Sequence, residues 1–303
     1  MSLIDDWMLS VQTRLILQNK RGMQHQIMPS FWFDGQAFEA LQYYSDLFPT
    51  SQILGDDGIV VEAELIDLKC MGMNGGPDLK PNPSISLRAV LDDVTTIRHI
   101  WEQLMVGGKE LMPLQSYPFH SFYGWVQDRY GFSWQLILAD QKRFSSQQIR
   151  PSLLFCGAQQ GKCQQALSFY QDIFPDFQTR VIVPSTFRPS TFRPSRTEIR
   201  YAEFAIAGTE MVAMDSHVSH PFSFNEAVSL TLRCENQQEI DYFWEHLTRN
   251  GQRGNCGWCR DPFGVHWQIV PYNLPELLTL PRSPSIFRQM KKIDIHELLH
   301  ANV

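Results

Sequence analysis

The chain has little charge, few cysteines and no long apolar run. Charged residues make up 19% of its 303 residues, and 26 Lys and Arg against 32 Asp and Glu give a net charge of −6. That balance excludes the basic face that a nucleic-acid-binding protein needs. No run approaches the ~18 consecutive apolar residues of a membrane-spanning helix. We therefore expect no nucleic-acid partner and no membrane association.

The start of the chain and its cysteine content predict a cytoplasmic protein. Residues 1–10, MSLIDDWMLS, carry two acids where a secretion signal has basic residues. Six cysteines in so long a chain are not a disulfide framework. Apolar residues make up 43%, enough for packed cores, and the length fits two domains of about 150 residues.

Two blocks of sequence occur twice and in the same order. The first reads ALQYYSDLFP at 40–49 and ALSFYQDIFP at 166–175, and the second reads GWVQDRYGFSWQLIL at 124–138 and GWCRDPFGVHWQIVP at 257–271. Six positions are identical in each pair of blocks. This duplication predicts two tandem repeats.

The duplication also sets the expected domain boundaries. Repeat one covers about 28–140, and repeat two covers about 150–271. Apolar residues at helical spacing predict a helical N-terminal extension over 1–27 and a helical tail over 272–303.

Each repeat is predicted to contain two β-α-β-β-β units, which makes an α+β fold. A short aromatic strand at 29–33 precedes a helix with apolar residues at helical spacing. Three strand-like runs follow, and the NGGP segment at 74–77 closes the unit with a turn. The pattern then restarts with a strand over 84–91 and a helix capped by Asp92-Asp93.

One face of the predicted sheets is polar. The strand SISLRA at 84–89 alternates hydroxyl and arginine side chains with apolar ones, and VSLTLR at 228–233 repeats the pattern. The apolar face must lie under the helices, so the other face is either solvated or lines a polar pocket. Trp134 and Trp267 fall on the packed face, where we expect core residues rather than ligand platforms.

These repeats resemble a known superfamily. Paired βαβββ units are typical of the vicinal oxygen chelate superfamily, which includes glyoxalases, bleomycin-resistance proteins and extradiol dioxygenases. The segments FDGQAFEALQYYSDLFP, MNGGP, SLRAVLDD, RDPFGVHWQIVP and MKKIDI look like its PhnB-like branch, often labelled a 3-demethylubiquinone-9 3-methyltransferase domain. The resemblance covers about 28–295. It implies tandem glyoxalase-like domains, each a curved mixed sheet around a cavity. It also implies that the domains pair within the chain, with a homodimer as a further option.

The resemblance also implies where a metal would bind. The superfamily usually takes His, His and Glu ligands from the first, fifth and eighth strands of a domain. The corresponding trios here are Pro29, Ser86 and Gln135 in repeat one, and Pro151, Ser229 and Gln268 in repeat two. Proline has no ligand atom, and hydroxyl and amide side chains are poor ligands for Zn, Fe or Ni, so we expect no catalytic metal.

The methyltransferase label has no support in the residues. Binding of adenosylmethionine would need a glycine-rich loop that opens a Rossmann-like βαβ unit, and the chain contains no GxGxxG. We expect no cofactor, and methyl transfer stays an alternative that only the label suggests.

The polar face supplies the candidate ligand-binding residues. They are Ser86, Arg88, Trp125 and Gln135 in repeat one, and Ser229, Arg233, Cys256, Trp258, His266 and Gln268 in repeat two. The repeats differ in that Tyr123 and Ser133 of repeat one match Cys256 and His266. We expect repeat two to hold the working site, because its polar and aromatic candidates converge.

Three residues are candidate acids or bases, without an assigned catalytic role. Glu64 and Glu203 are expected at matching strand positions, either facing the cavity and paired with Arg88 and Arg233 or at a solvated strand edge. His266 is the third candidate.

Three short motifs suggest chemistry that their context does not favour. The HExxH at 296–300 aligns with the tail of the resembling branch. Cys256 and Cys259 form a CxxC on a strand, where their side chains face opposite ways and Cys256 alone could line the cavity. His217 and His220 are expected at the surface rather than on a metal.

A five-residue unit repeats within 185–196, STFRPSTFRPSR, which contains Arg188, Arg193 and Arg196. Its prolines exclude a central strand. We expect an exposed extension that clamps the neighbouring domain, or a flap over a pocket that binds an anion.

Three functions remain open at this point. The first is binding of a small organic molecule in a cavity without a catalytic metal, oriented by a few polar groups. The second is a lyase, isomerase or dioxygenase-type enzyme that uses a metal or the candidate acids and bases. The third is an oligomer-forming protein in which one cavity has lost its role. The sequence favours the first.

Overall fold

The computed structural model describes residues 27–139, 148–185 and 198–300. The helices are α1 Ala37–Leu47, α2 Val94–Met105, α3 Cys163–Ile173, α4 Gln237–Thr248, α5 Leu274–Leu278, α6 Ser283–Phe287 and α7 Ile295–Leu299. Repeat one contains β1 Ile27–Phe33, β2 Gln52–Asp56, β3 Val60–Leu65, β4 Leu68–Asn74, β5 Ile85–Leu91, β6 Lys109–Tyr117, β7 His120–Gln127 and β8 Ser133–Leu138. Repeat two contains β9 Gln148–Phe155, β10 Gln178–Pro184, β11 Ile199–Ile206, β12 Thr209–Asp215, β13 Val228–Cys234, β14 Gln252–Arg253, β15 Trp258–Arg260 and β16 His266–Pro271.

Four units follow one another along the chain. Unit one is β1, α1 and β2–β4, unit two is β5, α2 and β6–β8, unit three is β9, α3 and β10–β12, and unit four is β13, α4 and β14–β16. Each has the β-α-β-β-β order that the sequence predicts. In every unit the first strand pairs in parallel with the last, and the remaining neighbours are antiparallel.

The two eight-stranded sheets each combine one unit from each repeat. Sheet A has the order β14-β15-β16-β13-β1-β4-β3-β2, which joins units four and one. Sheet B has the order β10-β11-β12-β9-β5-β8-β7-β6, which joins units three and two. The joining pairs are antiparallel, with Ser30 opposite Ser229 in sheet A and Ser86 opposite Ser152 in sheet B. The α+β class is confirmed, and each sheet contains two units as expected, but the two units come from different repeats.

Alternation along the strands decides which face is buried under the helices. In β5, Ile85, Leu87 and Ala89 join the hydrophobic core, while Ser86 and Arg88 lie on the opposite face. The apolar faces of both sheets and helices α1–α4 share one core. Trp134 and Trp267 are fully buried in that core, which confirms the expectation that they are packing residues.

The second helix of each repeat begins at a side-chain cap. Asp93 Oδ2 accepts the backbone N–H of Thr96 at 2.7 Å at the start of α2. Asn236 Oδ1 accepts the N–H of Glu239 at 3.1 Å at the start of α4. Each cap satisfies one of the N–H groups that a helix start leaves without a partner, and the cap predicted at 92–93 is confirmed.

A buried aspartate fastens the helix of unit one to the last strand of unit two. Asp128 Oδ2 accepts the hydroxyl of Tyr44 at 2.6 Å and the indole N–H of Trp134 at 2.9 Å. Its Oδ1 accepts the backbone N–H groups of Tyr130 and Phe132 at 2.9 and 3.1 Å. Burial raises the pKa of this carboxyl, although the four donors oppose that shift.

The same arrangement recurs in repeat two. Asp261 accepts the hydroxyl of Tyr170 at 2.7 Å and the indole N–H of Trp267 at 3.0 Å, and burial again raises the pKa of the carboxyl. The tyrosine comes from the first duplicated block, and the aspartate and tryptophan come from the second. In each repeat, these hydrogen bonds join the first duplicated block to the second, which gives a physical reason for both blocks to be present in both repeats.

The C-terminal segment packs beside sheet A. Helices α5–α7 enclose a small apolar cluster that includes Val270, Leu277 and Ile293. The backbone N–H groups of Cys256 and Gly257 donate to carbonyls of this segment at 2.7 and 2.8 Å. The helix predicted over 1–27 falls almost entirely outside the described residues. Among the helices of the described ranges, none is both long and apolar enough to cross a bilayer.

Candidate functional site

The central strands of sheet A bring hydroxyl and amide side chains together on its polar face. Gln268 Nε2 donates to Ser229 Oγ at 2.9 Å, and Ser30 Oγ lies 2.6 Å from Thr231 Oγ1. Ser30, Ser229 and Thr231 are fully buried. The side chains therefore satisfy one another, as buried polar groups must.

Sheet B repeats this centre with a different chain connection. Gln135 Nε2 donates to Ser86 Oγ at 2.7 Å and lies 3.4 Å from Ser152 Oγ. Ser86 and Gln135 belong to unit two, whereas Ser152 belongs to unit three. The centre of each sheet thus takes one strand from one repeat and two from the other.

These contacts correct the expected chelate trios. Pro29 pairs with Leu230 and lies on the core face, so Ser30 is the β1 residue that faces the polar centre. Pro151 is on the core face for the same reason, and Ser152 takes its place. The trios are also assembled across the repeats, because the first strand of each repeat joins the sheet of the other repeat's last unit.

The residues at these positions do not fit a transition metal. They offer hydroxyl and amide groups already bonded to one another, with no thiolate, imidazole or carboxylate among them. Within the described ranges, no group of three or more His, Cys, Asp or Glu is placed to hold a metal ion.

A pocket of about 390 Å³ opens on the polar face of sheet A. We call it the tryptophan pocket, because Trp32 and Trp258 both line it, edge to face, with ring centroids 6.1 Å apart. Glu226, Arg260 and His266 also line it. Two aromatic rings, two arginines, a carboxylate and an imidazole in a concave space suit a planar, partly polar molecule.

His266 is the buried polar group of the tryptophan pocket. Its Nδ1 lies 3.6 Å from Oε1 of the half-exposed Glu226. Burial lowers the pKa of His266, Glu226 opposes that shift, and Arg260, directly opposite on β15, adds to it. The imidazole is therefore neutral at neutral pH, with one nitrogen able to donate and the other able to accept.

Trp32 is held in place by the turn that follows β4. Its Nε1 donates to the carbonyl of Gly76 at 2.8 Å. Its ring lies so close to Gly75 that a Cβ there would come within 2.0 Å of Trp32 Cζ2. Sequence reasoning interpreted this segment only as a turn and missed Trp32. Alternation from Ser30 along β1 would have placed Trp32 on the polar face.

A second pocket, of about 300 Å³, lies on the same face of sheet A. We call it the methionine pocket, since Met71 and Met73 line it together with Leu274 and Leu278 of α5. Its polar lining is the Thr231, Arg233, Gln268 and Glu62 side chains and two aspartates of the β2–β3 turn. The arginine of this pocket is paired with Glu62.

Glu62, rather than Glu64, is the carboxylate that pairs with Arg233. The two matching cross-strand rows are Ser30-Met71-Glu62 and Ser152-Val212-Glu203. Glu62 is therefore the counterpart of Glu203, and the expected match with Glu64 is wrong by two residues. Both glutamates of β3 face the same side, so alternation alone does not separate them. Glu64 accepts a hydrogen bond from Gln52 at 3.3 Å and lines neither pocket.

A cluster of aromatic side chains covers part of the polar face of sheet B. The long β6–β7 hairpin stacks aromatic rings there, including Tyr117, His120 and Tyr123. Val90 and Ile137 pack under them. The β6–β7 hairpin of unit two therefore closes one end of the polar face of sheet B. The corresponding strands of unit four, β14 and β15, are short.

Arg88 is buried on this face, and its contacts differ from the expected pair with Glu203. Its guanidinium donates to the Tyr201 hydroxyl, lies over the Tyr201 ring at 4.8 Å, and places Nη2 2.9 Å from His120 Nε2. Tyr201 in turn donates to Glu203 Oε1 at 2.6 Å. Arg88 therefore reaches Glu203 through a tyrosine.

The structure divides the ten candidate ligand-binding residues between the two sheets. Cys256, Trp258 and His266 line the tryptophan pocket, Arg233 and Gln268 line the methionine pocket, and Ser229 is buried beside Gln268. Ser86, Arg88, Trp125 and Gln135 lie on sheet B. Trp32, Glu62, Tyr201 and Glu226 are contact residues that sequence reasoning missed.

The two cysteines of the CxxC differ in burial. Cys259 on β15 is buried and Cys256 is half-buried, and both line the tryptophan pocket. Cys256 precedes β15, so the expectation that both cysteines lie on a strand is wrong. Cys256 adopts a left-handed backbone with φ 56°, and burial raises the pKa of its thiol. A raised thiol pKa is the opposite of what redox or nucleophilic cysteines need.

The histidines of the other motifs make local contacts. His296 and His300 stack on α7 with centroids 3.9 Å apart, and Leu298 between them is buried. His217 lies 3.5 Å from Glu198, and His220 Nε2 lies 2.9 Å from Ser216 Oγ. The clamp or flap predicted at 185–196 falls, except for its first residue, outside the described residues.

Comparison with known families identifies the two repeats. A sequence profile described as 3-demethylubiquinone-9 3-methyltransferase matches residues 25–137 and again 147–270, which together make up most of the chain. No curated protein matches the chain.

Solved structures are similar at two levels. The PhnB protein of Bacillus cereus is 31% identical and covers 37% of this chain and 98% of its own, with a TM-score of 0.35. A protein from Staphylococcus aureus is 27% identical over 37% of this chain and 94% of its own, with a TM-score of 0.18. Glyoxalase I from Zea mays is 12% identical, covers 82% of this chain and 93% of its own, and has a TM-score of 0.52, which shows a shared fold.

Proposed function

The chain belongs to the 3-demethylubiquinone-9 3-methyltransferase family, and we propose that it binds a small planar organic acid in the tryptophan pocket, without a metal at the chelate positions. The observation that carries the proposal is the pocket itself. Two tryptophan rings stand beside an arginine and a neutral imidazole in a space of about 390 Å³, which suits a ligand of modest size.

Arg260 is the group of the pocket that favours an acid over a neutral ligand. Arg260 makes no ion pair with any residue in the described ranges. The other arginine of the pocket, Arg253, is paired with Glu245 at 3.0 Å. A guanidinium that lacks a carboxylate partner binds a ligand carboxylate through two parallel N–H donors, which gives both affinity and orientation.

The aromatic part of the ligand would lie against Trp32 and Trp258. Ring-to-ring contacts prefer edge-to-face or offset stacking at centroid distances near those of this pair. His266 would then donate to, or accept from, a hydroxyl or carbonyl on the ring. Unit four supplies most of this lining and unit one supplies Trp32, so the site depends on both repeats.

The test compares acids with their neutral amides. Benzoate and 4-hydroxybenzoate are titrated against benzamide and 4-hydroxybenzamide, with tryptophan fluorescence and thermal shift as the two readouts. We expect the acids to bind and the amides to bind at least about tenfold more weakly, since a charge-assisted bidentate pair contributes roughly 1.5–3 kcal/mol.

Two arginine variants separate the ion pair from general charge. Arg260→Gln is expected to weaken acid binding about tenfold, and Arg253→Gln to leave it within about twofold, because Arg253 already has a carboxylate partner. Equal binding of acids and amides, or equal effects of the two variants, would contradict the proposal.

A second candidate function is acid–base catalysis on the bound acid, favoured by the His266–Glu226 contact at 3.6 Å. A neutral imidazole beside a carboxylate is a competent proton acceptor. If His266 acts as a base, the wild-type protein should exchange the acidic C–H hydrogen of a bound keto acid, such as phenylpyruvate, for deuterium from D2O. His266→Gln should stop this exchange while the keto acid still binds. Exchange at the uncatalysed rate with bound ligand would leave binding as the function.

A further inference from the structure

A row of polar side chains crosses the centre of sheet B. Arg150 on β9 lies directly opposite Arg88 on β5, Arg88 is paired with Gln135 on β8, and Gln135 with Trp125 on β7. Cross-strand partners lie on the same face with Cβ atoms about 5 Å apart. Two arginines are therefore neighbours at the centre of a sheet, and like charges placed directly opposite each other destabilise the pair.

The two guanidinium groups have unused donors. The Nε atoms of Arg88 and Arg150 are both buried and lack a hydrogen-bond partner. Arg150 makes no side-chain hydrogen bond in the described ranges, and its one ion pair is to Glu203 at 3.7 Å, beyond hydrogen-bond distance. Buried donors without acceptors are costly, which makes a missing acceptor at this place physically significant.

The nearby carboxylates leave the Nε donors of both arginines without an acceptor. Glu203 accepts the Tyr201 hydroxyl at 2.6 Å. Asp67, whose charge also reaches Arg150, accepts the backbone N–H of Ile149 at 2.8 Å and lies beyond ion-pair distance from Arg150. Glu210, beside Arg150 in the sheet, is held by Arg180 at 3.0 Å through Oε1, and its Oε2 is buried without a hydrogen-bond partner. Glu203 Oε2 forms an ion pair with Arg150 at 3.7 Å, but no carboxylate oxygen in the described ranges accepts a hydrogen bond from the Nε of Arg88 or Arg150.

Sheet A shows that the fold does not require these arginines. The corresponding row there is Met28, Thr231, Gln268 and Trp258. The glutamine and the tryptophan are kept, and the two arginine positions hold a thioether and a hydroxyl instead. Sheet A therefore forms the same strand arrangement without the two arginine charges that sheet B has at these positions.

We propose that sheet B holds a second ligand site, for a small oxyanion, a carboxylate or a phosphate, bound between the guanidinium groups of Arg88 and Arg150. An oxyanion supplies the acceptors that both arginines lack and removes the repulsion between them. The side chain of Arg150 is 16% exposed, so an anion reaches it from solvent. This site is separate from the tryptophan pocket of sheet A and would take a different ligand.

The test measures thermal unfolding of the full chain in sodium phosphate, sodium acetate and sodium chloride at equal ionic strength. Each arginine is replaced by its counterpart from sheet A, as Arg150→Met and Arg88→Thr. Arg200→Met is the matched control, because it removes an exposed arginine of the same sheet and leaves the pair between Arg180 and Glu210 intact. Isothermal titration of the wild-type protein with phosphate and with acetate measures binding without any variant.

We expect the melting temperature of the wild-type protein to rise by about 3–6 °C in saturating phosphate or acetate relative to chloride. Whichever of the two anions gives the larger rise identifies the ligand class. Arg150→Met and Arg88→Thr should abolish the rise, and Arg150→Met in chloride should melt no lower than wild type because the repulsion is gone. Arg200→Met should keep the rise.

Three results would overturn the proposal. One is a wild-type protein that responds to phosphate, acetate and chloride alike and shows no heat of binding. Another is an anion response that survives in both Arg150→Met and Arg88→Thr. The third is an Arg150→Met protein that melts well below wild type in chloride while wild type shows no specific response, which would make Arg150 a structural partner of Glu203.

Discussion

At the residue scale, Gly75 shows how one missing side chain shapes a pocket. The indole of Trp32 occupies the space where a Cβ would stand, and it donates to the next carbonyl. The glycine is needed here for a close approach, not for an unusual backbone angle. The turn at 74–77 thus positions a side chain that lines the tryptophan pocket.

Gly75→Ala tests this directly. The added methyl should push Trp32 out of position, lower the stability by about 1–3 kcal/mol and weaken binding of aromatic acids about tenfold. Gly55→Ala is the control, since a Cβ there meets nothing within 4 Å. Near-ultraviolet circular dichroism and fluorescence titration measure both effects. Unchanged spectra and affinity in Gly75→Ala would show that Trp32 tolerates the methyl.

His266 predicts a pH dependence of stability. Its pKa in the folded protein is lowered, mainly by burial, from an unfolded value of about 6.5. Below that pH the unfolded chain takes up the proton more readily, so stability falls as the pH drops from 7 towards 5. His266→Gln should flatten this slope in urea unfolding at pH 7.5, 6.5 and 5.5.

A control is needed because the pKa of His220 is also lowered by burial. His220→Gln should remove only its own part of the slope and leave that of His266. A His266→Gln protein with the wild-type slope would mean that the pKa of His266 is the same in the folded and unfolded states.

At the element scale, the two buried aspartates decide how helices attach to strands. Asp128 ties α1 to β8, and Asp261 ties α3 to β16, each through a tyrosine and a tryptophan. The pattern of duplicated letters pointed to these segments. Sequence reasoning did not single out the aspartates, because a DxxGxxW segment alone does not predict that its aspartate contacts a tyrosine far away in the sequence.

Asp128→Asn is predicted to destabilise the protein by about 2–4 kcal/mol. The amide replaces one acceptor oxygen with a donor, which then faces two N–H or O–H groups in a buried place. Asp261→Asn should behave alike. Asp46 lies on the exposed face of α1, and its one side-chain hydrogen bond within the described ranges comes from Gln42. Asp46→Asn should therefore stay within about 0.5 kcal/mol of the wild-type stability. Chemical unfolding measures all three, and equal stability of Asp128→Asn and Asp46→Asn would contradict the structural role.

At the scale of the whole molecule, the repeats do not form separate sheets. Unit one pairs with unit four, and unit two with unit three, through the β1–β13 and β5–β9 contacts. An isolated repeat would expose both β1 and β5 as edges with unpaired backbone groups. The two repeats depend on each other for their cores.

Splitting the chain between residues 143 and 144 tests this dependence. We expect repeat one alone to give no folded monomer, because half of each sheet is missing, and to associate with itself or with repeat two when the fragments are mixed. Light scattering after size-exclusion chromatography gives the mass, and circular dichroism gives the fold. A monomeric repeat one with a cooperative unfolding transition would show that each repeat is an independent domain.

The sequence by itself determined the order of the elements, the polar and apolar faces of the strands, the cap at 92–93, and the core positions of Trp134 and Trp267. These features depend on periods of two or 3.6 residues and on capping groups within a few positions. Residues close together in the sequence are therefore enough to predict them. The repeated blocks added the number of units.

Only the tertiary structure decided which residues meet. Ser30 contacts Thr231 across 201 positions, Trp32 meets Trp258, and Glu62 rather than Glu64 reaches Arg233. Each of these contacts follows from pairing unit one with unit four, and no local pattern distinguishes that pairing from one sheet per repeat. Strand partners remote in sequence are chosen by the burial of whole faces, which is a property of the complete chain.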